Sequence, residues 1–586
     1  MTFKRLAEYF HKLENTTLRN QMTEILAELF KEAPQNEIGK IVYLLQGRVA
    51  PLYEAVEFGL ADKMIIRAIA DGLKVDSQKV TRVFKESGDL GKTAEKLKAN
   101  VKTKHNLNVL QVFGTLHKTA LAGGEGSQDV KIKLLGSLIR DLDSLSVRYL
   151  VRIPVAKLRL GFSDMTILDA LSWMKAGSKK LRPQFEKAYN VRPDLGLIAE
   201  TVKRHKENNF NIEPRVGIPI LMARAERMGS GEEIIDKIGR CAVEPKYDGF
   251  RLQGHKMGNK VELFSRNLEN VTHMYPDIVQ GIKKQVKTKE AIIEGEAVAY
   301  NPQTGEYLPF QETVQRKRKY NIEAKAKEIP LKLFAFELLY QTGKNLIMSE
   351  YVERRKQLEK IVARGEVILI AQEEVIDTPK RLEAIFLDTV SRGLEGVMAK
   401  KLDGIYRAGS RDFNWIKYKR SYAGKLDDTV DAVVMGYDFG QGKRTAFGIG
   451  DFLIGVFDEK LEKYVSIAKI GTGLTDEEWK EIKIRSEKLK APEKPKNYEV
   501  DKIMGCDVWI TPKIVVEIRA DEITRSPVHT AGRIMGPTKT GSAIEVKEAG
   551  LALRFPRLER FRDDKNPTDA TTLGELKKML HRQMKK

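Results

Sequence analysis

Residues 244–251 read Glu-Pro-Lys-Tyr-Asp-Gly-Phe-Arg. The stretch closes a short β-prone run, Cys241-Ala242-Val243, and leads into a second one. Lys246 has an acid two residues before it and an arginine five after. Two readings compete. In the first, Asp248-Gly249 is the turn of a hairpin, because Asp-Gly accepts the left-handed backbone that tight turns need. In the second, Lys246 is a nucleophile. A free lysine has a pKa of about 10.4, so only roughly one in a few thousand is neutral at pH 7. Chemistry there needs burial, neighbouring cations or a metal-bound electrophile. The eight residues alone favour the hairpin; the segments downstream reverse that balance.

A chain of 586 residues accommodates about three or four domains. Hydrophobic residues make up 42%, enough for sizeable cores, and 102 Lys+Arg against 81 Asp+Glu leave a net charge of +21. Such an excess suits a polyanionic partner, most simply nucleic acid. Cys241 and Cys506 are the only cysteines, too few and too far apart for a zinc cluster, and they do not suggest a disulfide framework. Met1-Thr2-Phe3-Lys4-Arg5 opens an amphipathic pattern, not a signal peptide. No stretch approaches the roughly 18 uncharged apolar residues of a membrane span. We expect no membrane partner and a reducing, cytoplasmic setting.

The periodicity divides the chain in three. Residues 1–208 read as helical: Ile132, Leu134, Leu135, Leu138, Ile139, Leu142 and Leu145 recur at helical spacing, as do Met22, Ile25, Leu26 and Leu29. Within this part, Lys157-Leu158-Arg159-Leu160-Gly161-Phe162-Ser163-Asp164 is basic and opens a helix, with Ser163 as N-cap. By itself it is either a phosphate-binding helix start or an ordinary helix connection. Residues 209–420 alternate strands and helices in an α+β arrangement of antiparallel character, with strands at 261–265, 291–300, 331–339, 367–373 and 396–400 and helices at 349–364 and 378–392. Residues 421–586 carry short strands at 431–437, 451–457, 464–470 and 514–519, spaced as in a small β-barrel, then a basic amphipathic helix with Leu573, Leu576, Met579 and Leu580 on one face.

Six further segments have the character of a nucleotide site. Arg266 follows a strand in Ser265-Arg266-Asn267. Glu294 and Glu296 share one strand face. Phe336 lies in Phe334-Ala335-Phe336-Glu337, Glu395 precedes the apolar run Gly396–Lys400, Lys417 and Lys419 alternate in Trp415–Lys419, and Arg554-Phe555-Pro556-Arg557 lies near the C-terminus. Singly, each reads as readily as a solvated strand charge, a core aromatic or an edge-strand lysine. In this order they resemble the covalent nucleotidyltransferases, closest to ATP-dependent DNA ligases of the archaeal and eukaryotic replicative type.

That resemblance implies a multidomain plan: an all-α DNA-binding domain, an α+β adenylation domain and a β-barrel OB-fold domain. It implies that Lys246 takes AMP from ATP, passes it to the 5′-phosphate of a nick, and releases it when the 3′-hydroxyl seals the strand. Glu244, Arg251, Arg266, Glu296, Phe336, Arg411 and Lys417 are then ATP/AMP-binding residues, with Phe336 stacked on adenine and Glu244 at the purine edge. Lys419, Arg554 and Arg557 meet pyrophosphate as the last domain swings over on a hinge near 419–428, with Gly424 as a soft point. Glu296 and Glu395 hold Mg²⁺. Lys157, Arg159, Gly161, Arg316, Lys317, Arg318 and Lys319 contact DNA, the partner being nicked duplex. The family also suggests a sliding clamp as partner, although no Gln-x-x-aliphatic-x-x-aromatic-aromatic peptide is present, and a monomer associated with a prokaryotic nucleoid. An RNA ligase or capping enzyme fits less well because of the large helical region. An NAD-dependent ligase lacks its four-cysteine site here, and a non-catalytic DNA scaffold would not need Lys246, Glu296, Glu395 and Lys417 together.

Overall fold

The computed structural model describes residues 1–99, 101, 106–205, 212–308, 310–318, 321–419, 429–440, 447–537 and 544–585. The segment boundaries expected near residues 208 and 421, and residues 420–428 of the hinge expected near 419–428, lie outside the described residues. Contacts divide the chain into two compact units. The first is Met1–Glu226, Ile234–Leu382 and Met398–Lys417; the second is Arg227–Glu233, Glu383–Val397 and Tyr418–Lys586.

The first unit begins with helices, running from Phe3–Glu14 to Leu195–Arg204. Several start on short polar caps, as the composition of such starts demands. Asn108 and Gln111 form a reciprocal capping box on Val109–Leu121, and Asp89, Asp143 and Asp194 each accept a backbone N–H at a helix start. The predicted stripe is the buried one: Ile132, Leu135, Leu138 and Ile139 join Met22, Leu26 and Leu29 in the same core. Ser163 stands at the N-cap of Asp164–Ala176, but its side chain makes no capping bond.

Two sheets follow. One has β1 (Arg224–Arg227), β2 (Cys241–Lys246), β9 (Glu374–Ile376), β10 (Gly396–Lys401) and β11 (Arg411–Lys419) in the order β1-β11-β10-β2-β9. The other has β3 (Phe250–Met257), β4 (Lys260–Ser265), β5 (Glu290–Ala299), β6 (Leu331–Gln341) and β7 (Lys344–Asn345) in the antiparallel order β4-β3-β5-β6-β7. A short parallel strand, β8 (Ile368–Ile370), joins β6; the sequence had suggested a longer one, 367–373. One face of this sheet packs Leu252, Leu263, Ile293 and Leu333 on the helices Pro276–Gln285 and Tyr351–Ile361 through Ile278, Ile282, Leu358 and Ile361. The alternate face carries Ile292, Leu339 and Phe336, which pack with Tyr406, Trp415 and Met398 of the β10–β11 region.

β2 and β3 therefore belong to different sheets, and the hairpin reading of Asp248-Gly249 is wrong. Gly249 has no left-handed backbone. Its requirement is steric: a Cβ there would lie 2.1 Å from the carbonyl oxygen of Ala297 on β5. The local sequence signal for a turn and for a close backbone crossing is the same residue pair.

The second unit is β-rich, as the barrel expectation requires. β12 (Val430–Asp438) pairs with β13 (Asp451–Asp458), and β13 with β14 (Lys463–Ile470), all antiparallel. A strand at Val515–Arg519 lies on the other side of β12 and pairs in turn with Arg557–Phe561. Val434, Phe452, Ile454, Val465, Ile467, Val516 and Ile518 form the core. The C-terminal helix Leu573–Lys585 buries Leu573 and Leu576 there, with Met579 and Leu580 packed alongside, which is the predicted face.

Candidate active site

Lys246 ends β2, half-buried, where the chain leaves one sheet for the other. The next residue, Tyr247, is buried and stacks flat on Phe334 of β6, ring centroids 4.0 Å apart. By the strand period, Glu244 and Lys246 share a face of β2, and Trp415 and Lys417 share a face of β11. Trp415 meets Phe336 of the opposite sheet edge to face, with centroids 6.0 Å apart. Across the gap, Arg251 and Glu296 are register partners on β3 and β5, and Gln253 pairs Glu294 one step along the same face. Segments far apart in sequence thus bring Glu244, Lys246, Lys417, Arg251, Glu296 and Phe336 onto two facing surfaces.

Each charged group is held by neighbours. The Glu244 carboxylate is buried and accepts from Tyr351 (2.8 Å), Arg355 (3.3 Å) and Lys400 (2.7 Å). Burial pushes its carboxyl pKa up, against the pull of Lys400 and Arg355. Arg251 donates to the Ala223 carbonyl (2.8 Å), to Tyr406 (3.3 Å) and to the fully buried Glu294. Burial opposes its charge, but Glu294 and Tyr406 outweigh this and keep its pKa above the ordinary arginine range. Tyr406 also donates to Glu294, and Gln253 donates to the same carboxylate at 2.9 Å.

Arg266, just past β4, behaves oppositely. Partial desolvation, then Arg251, Arg224 and Arg411, lower its pKa, and Glu296 opposes them. Four guanidinium groups thus act on one another here, with the carboxylates of Glu294 and Glu296 among them, so positive charge is in excess. Arg251, Arg266 and Arg411 were expected here. Arg224 was not; it carries no sequence signal, and joins because β1 pairs with β11, with Arg224 N–H bonded to Ser410 O at 2.9 Å.

The comparisons with known proteins agree along the chain. Residues 2–172 match the DNA ligase N terminus, 222–419 the ATP dependent DNA ligase domain, and 445–565 the ATP dependent DNA ligase C terminal region. A probable DNA ligase of Dictyoglomus turgidum is 48% identical, over 100% of this chain and 98% of the relative. The chain belongs to the ATP-dependent DNA ligases. A DNA ligase of Staphylothermus marinus is 43% identical over the full length of both chains. Among solved structures, Pmar-Lig_Pre aligns with a TM-score of 0.55 at 18% identity, covering 95% of this chain and 99% of its own, which shows a shared fold. The activity is that of the family: nicks in duplex DNA are closed through an adenylated intermediate, using ATP.

The other expected site residues, Glu395, Lys419, Arg554 and Arg557, fall in the second unit. Glu395 holds the Lys419 ammonium and lies 4.0 Å from Arg554, which also pairs with Glu522 at 2.9 Å. Arg557 pairs with Asp521. Among the described residues, no group of three or more His, Cys, Asp or Glu side chains is gathered to hold a metal unaided.

The DNA-contact expectations divide. Lys157 pairs with Asp62 (3.2 Å) and Arg159 with Asp89 (2.8 Å). Arg159 and Gly161 both have a left-handed backbone, φ +59° and +78°. The loop borders a cleft of about 280 Å³ with Gly47 and Arg48, and Arg48 is a cation that the sequence reading missed. Arg316 is a correction. Its guanidinium is buried, bidentate on Asp277 (2.8 and 3.0 Å) and bonded to Ile329 O (2.7 Å), so it cannot face DNA. Lys317 and Arg318 are exposed, on Glu269 and Gln315 O respectively, and Lys319 lies outside the described residues.

Proposed function

We propose that Lys246 is the nucleotide carrier of this ligase. Its Nζ attacks the α-phosphorus of ATP; a P–N bond forms and the bond to pyrophosphate breaks. The 5′-phosphate of a nick then attacks the same phosphorus, the P–N bond breaks and the lysine is freed. Finally the 3′-hydroxyl attacks the 5′-phosphorus and AMP leaves. Each step needs in-line positioning and neutralisation of phosphate charge. The observation that carries the reading is the pair of facing surfaces: Glu244, Lys246 and Lys417 on one, Arg251, Glu296 and Phe336 on the other, with Arg266 and Arg411 beside Glu296.

In this proposal Phe336 stacks the adenine and the backbone of Glu244 meets its edge. Lys417, Arg251, Arg266 and Arg411 bind phosphate and ribose oxygens, and Lys419, Arg554 and Arg557 serve pyrophosphate. Glu296 and Glu395 are oxygen donors, the type that suits Mg²⁺. Bound there, the ion would supply positive charge at the phosphate oxygens. Lys157, Arg159, Gly161, Lys317, Arg318 and Lys319 are assigned to the backbone of duplex DNA, for which the +21 net charge is suited. We place the enzyme in the cytoplasm, at the nucleoid, as a monomer in replication, repair and recombination; a replicative role would add a sliding clamp as partner. Among the described residues no helix is long and apolar enough to cross a membrane.

Mass spectrometry after incubation with ATP and Mg²⁺ tests the reading. An added AMP mapped to Lys246, removed by pyrophosphate, and competent to seal a nick without fresh ATP is the expected result. A label that persists in Lys246→Ala would overturn it.

A further inference from the structure

Lys400 is an unusual residue for its place. It lies in β10 with 1% of its surface exposed, among Val397, Met398 and Ala399. Burying an ammonium is expensive unless its charge and donors are matched, and an apolar side chain of the same length would fill the space. The ammonium has two oxygen acceptors and three aromatic rings around it. It lies 2.7 Å from Glu244 Oε2 and 3.2 Å from the Phe336 carbonyl oxygen. It is 4.9, 4.9 and 4.8 Å from the ring centroids of Phe336, Tyr351 and Trp415.

The Phe336 carbonyl is available for a reason written in the register. On β5, Glu294 faces Glu337 and Gly295 faces Ala335, so Phe336 is the extra residue of a β-bulge. A bulge turns one side chain out of the regular alternation and frees its carbonyl from the ladder. The acid that holds the other side of Lys400 stands on β2, two residues before Lys246, and is itself fixed by Tyr351 and Arg355. One ammonium therefore ties the bulge that aims Phe336 to the strand that carries Lys246.

We propose that Lys400 is a positioning residue for the nucleobase: it sets the distance between the stacking ring of Phe336 and the Lys246 strand, so that a base bound on that ring presents its α-phosphate to the amine. The inference rests on the assignment of Phe336 as the base-stacking residue. Its substrate class is the adenosine portion of the nucleotide, and it makes no claim on the phosphate-binding arginines.

The test uses the full chain and two probes that compete with ATP during AMP transfer to the protein: adenosine for the base and ribose, inorganic tripolyphosphate for the phosphate subsite. In Lys400→Met, the KM for ATP and the inhibition constant of adenosine should each rise by about tenfold, the scale of one charge-assisted hydrogen bond. The kcat should fall too, because the α-phosphate is no longer held in line with the amine, while the tripolyphosphate constant should hold. Lys400→Gln keeps a donor for the Phe336 carbonyl and should lose less; it is read in the same way if the methionine variant does not fold. Equal losses for both probes, or an unchanged adenosine constant in a folded variant, would overturn the proposal. Phe336→Ala separates the two levels. If it raises the KM for ATP while both Lys400 variants leave it alone, only the role of Lys400 fails; if it too has no effect, the base assignment fails and the inference with it.

Discussion

Tyr247 lies flat on Phe334, with ring centroids 4.0 Å apart and planes 12° apart. The stack fixes the residue beside Lys246 to the centre of the other sheet, so the position of the amine depends on a buried aromatic pair and not on loop geometry. Truncating a buried aromatic costs about 3–5 kcal/mol. Tyr247→Phe keeps the ring and is expected to retain AMP transfer. Tyr247→Ala should lower the melting temperature and reduce adenylation of whatever protein remains folded. Equal adenylation rates in the wild type and a folded Tyr247→Ala protein would show that the stack does not position the lysine.

Gly249→Ala is expected to be more damaging than its single methyl suggests. The added Cβ would stand 2.1 Å from Ala297 O, a backbone atom in the middle of β5, and would also crowd the Val298 side chain. Neither can yield without opening the β3–β5 ladder. Circular dichroism melts should show a large loss of stability, and AMP labelling should vanish even where soluble protein is recovered.

These two positions also show how far the sequence carries. Hydrophobic spacing is local, and it located the stripe Ile132–Ile139, the C-terminal helix face and most strands of the central region. Motif order likewise singled out Arg251, Arg266, Glu296, Phe336 and Lys417 as expected site residues. Pairing is not local. Asp248-Gly249 reads as a turn because the oxygen that demands glycine belongs to Ala297, far along the chain. Lys400 passed as an ordinary strand residue because its partners come from Glu244, Phe336, Tyr351 and Trp415. Arg224 and Arg48 gave no signal, since each gains its neighbours only through strand order or loop packing.

Arg316 and Arg318 stand two apart in one basic run and should behave as opposites. Removing the buried Arg316 leaves Asp277 and the Ile329 carbonyl without their donor. Arg316→Ala should cost about 2–4 kcal/mol of stability and leave the salt dependence of DNA binding unchanged. Arg318 is exposed, so Arg318→Ala should change stability by less than about 0.5 kcal/mol. It should weaken binding to nicked duplex and reduce the slope of log K against log salt by roughly one. Denaturation curves and binding titrations at several salt concentrations give both readings from the same preparations.

His255 makes the first unit sensitive to acid. Its ring is buried, with Nδ1 accepting from Gly217 N–H at 3.0 Å and Nε2 lying 2.8 Å from Gln253 Oε1. Both partners suit a neutral imidazole protonated on Nε2. Burial lowers its pKa from 6.5 to about 3. The unfolded chain therefore binds a proton between those values that the folded chain refuses. The contribution to stability is complete above pH 6.5 and is lost as pH falls towards 3, by up to roughly 5 kcal/mol across the window. Protonation would also turn Nδ1 into a donor facing the Gly217 N–H, so the loss should begin by loosening the 217–220 segment, which Gln253 holds through Ile220. Hydrogen exchange between pH 7 and 4.5 should show the Gly217 and Ile220 amides losing protection early. His255→Gln should be less stable at pH 7 but show a flatter acid limb; an acid limb as steep as that of the wild type would assign the sensitivity to other groups.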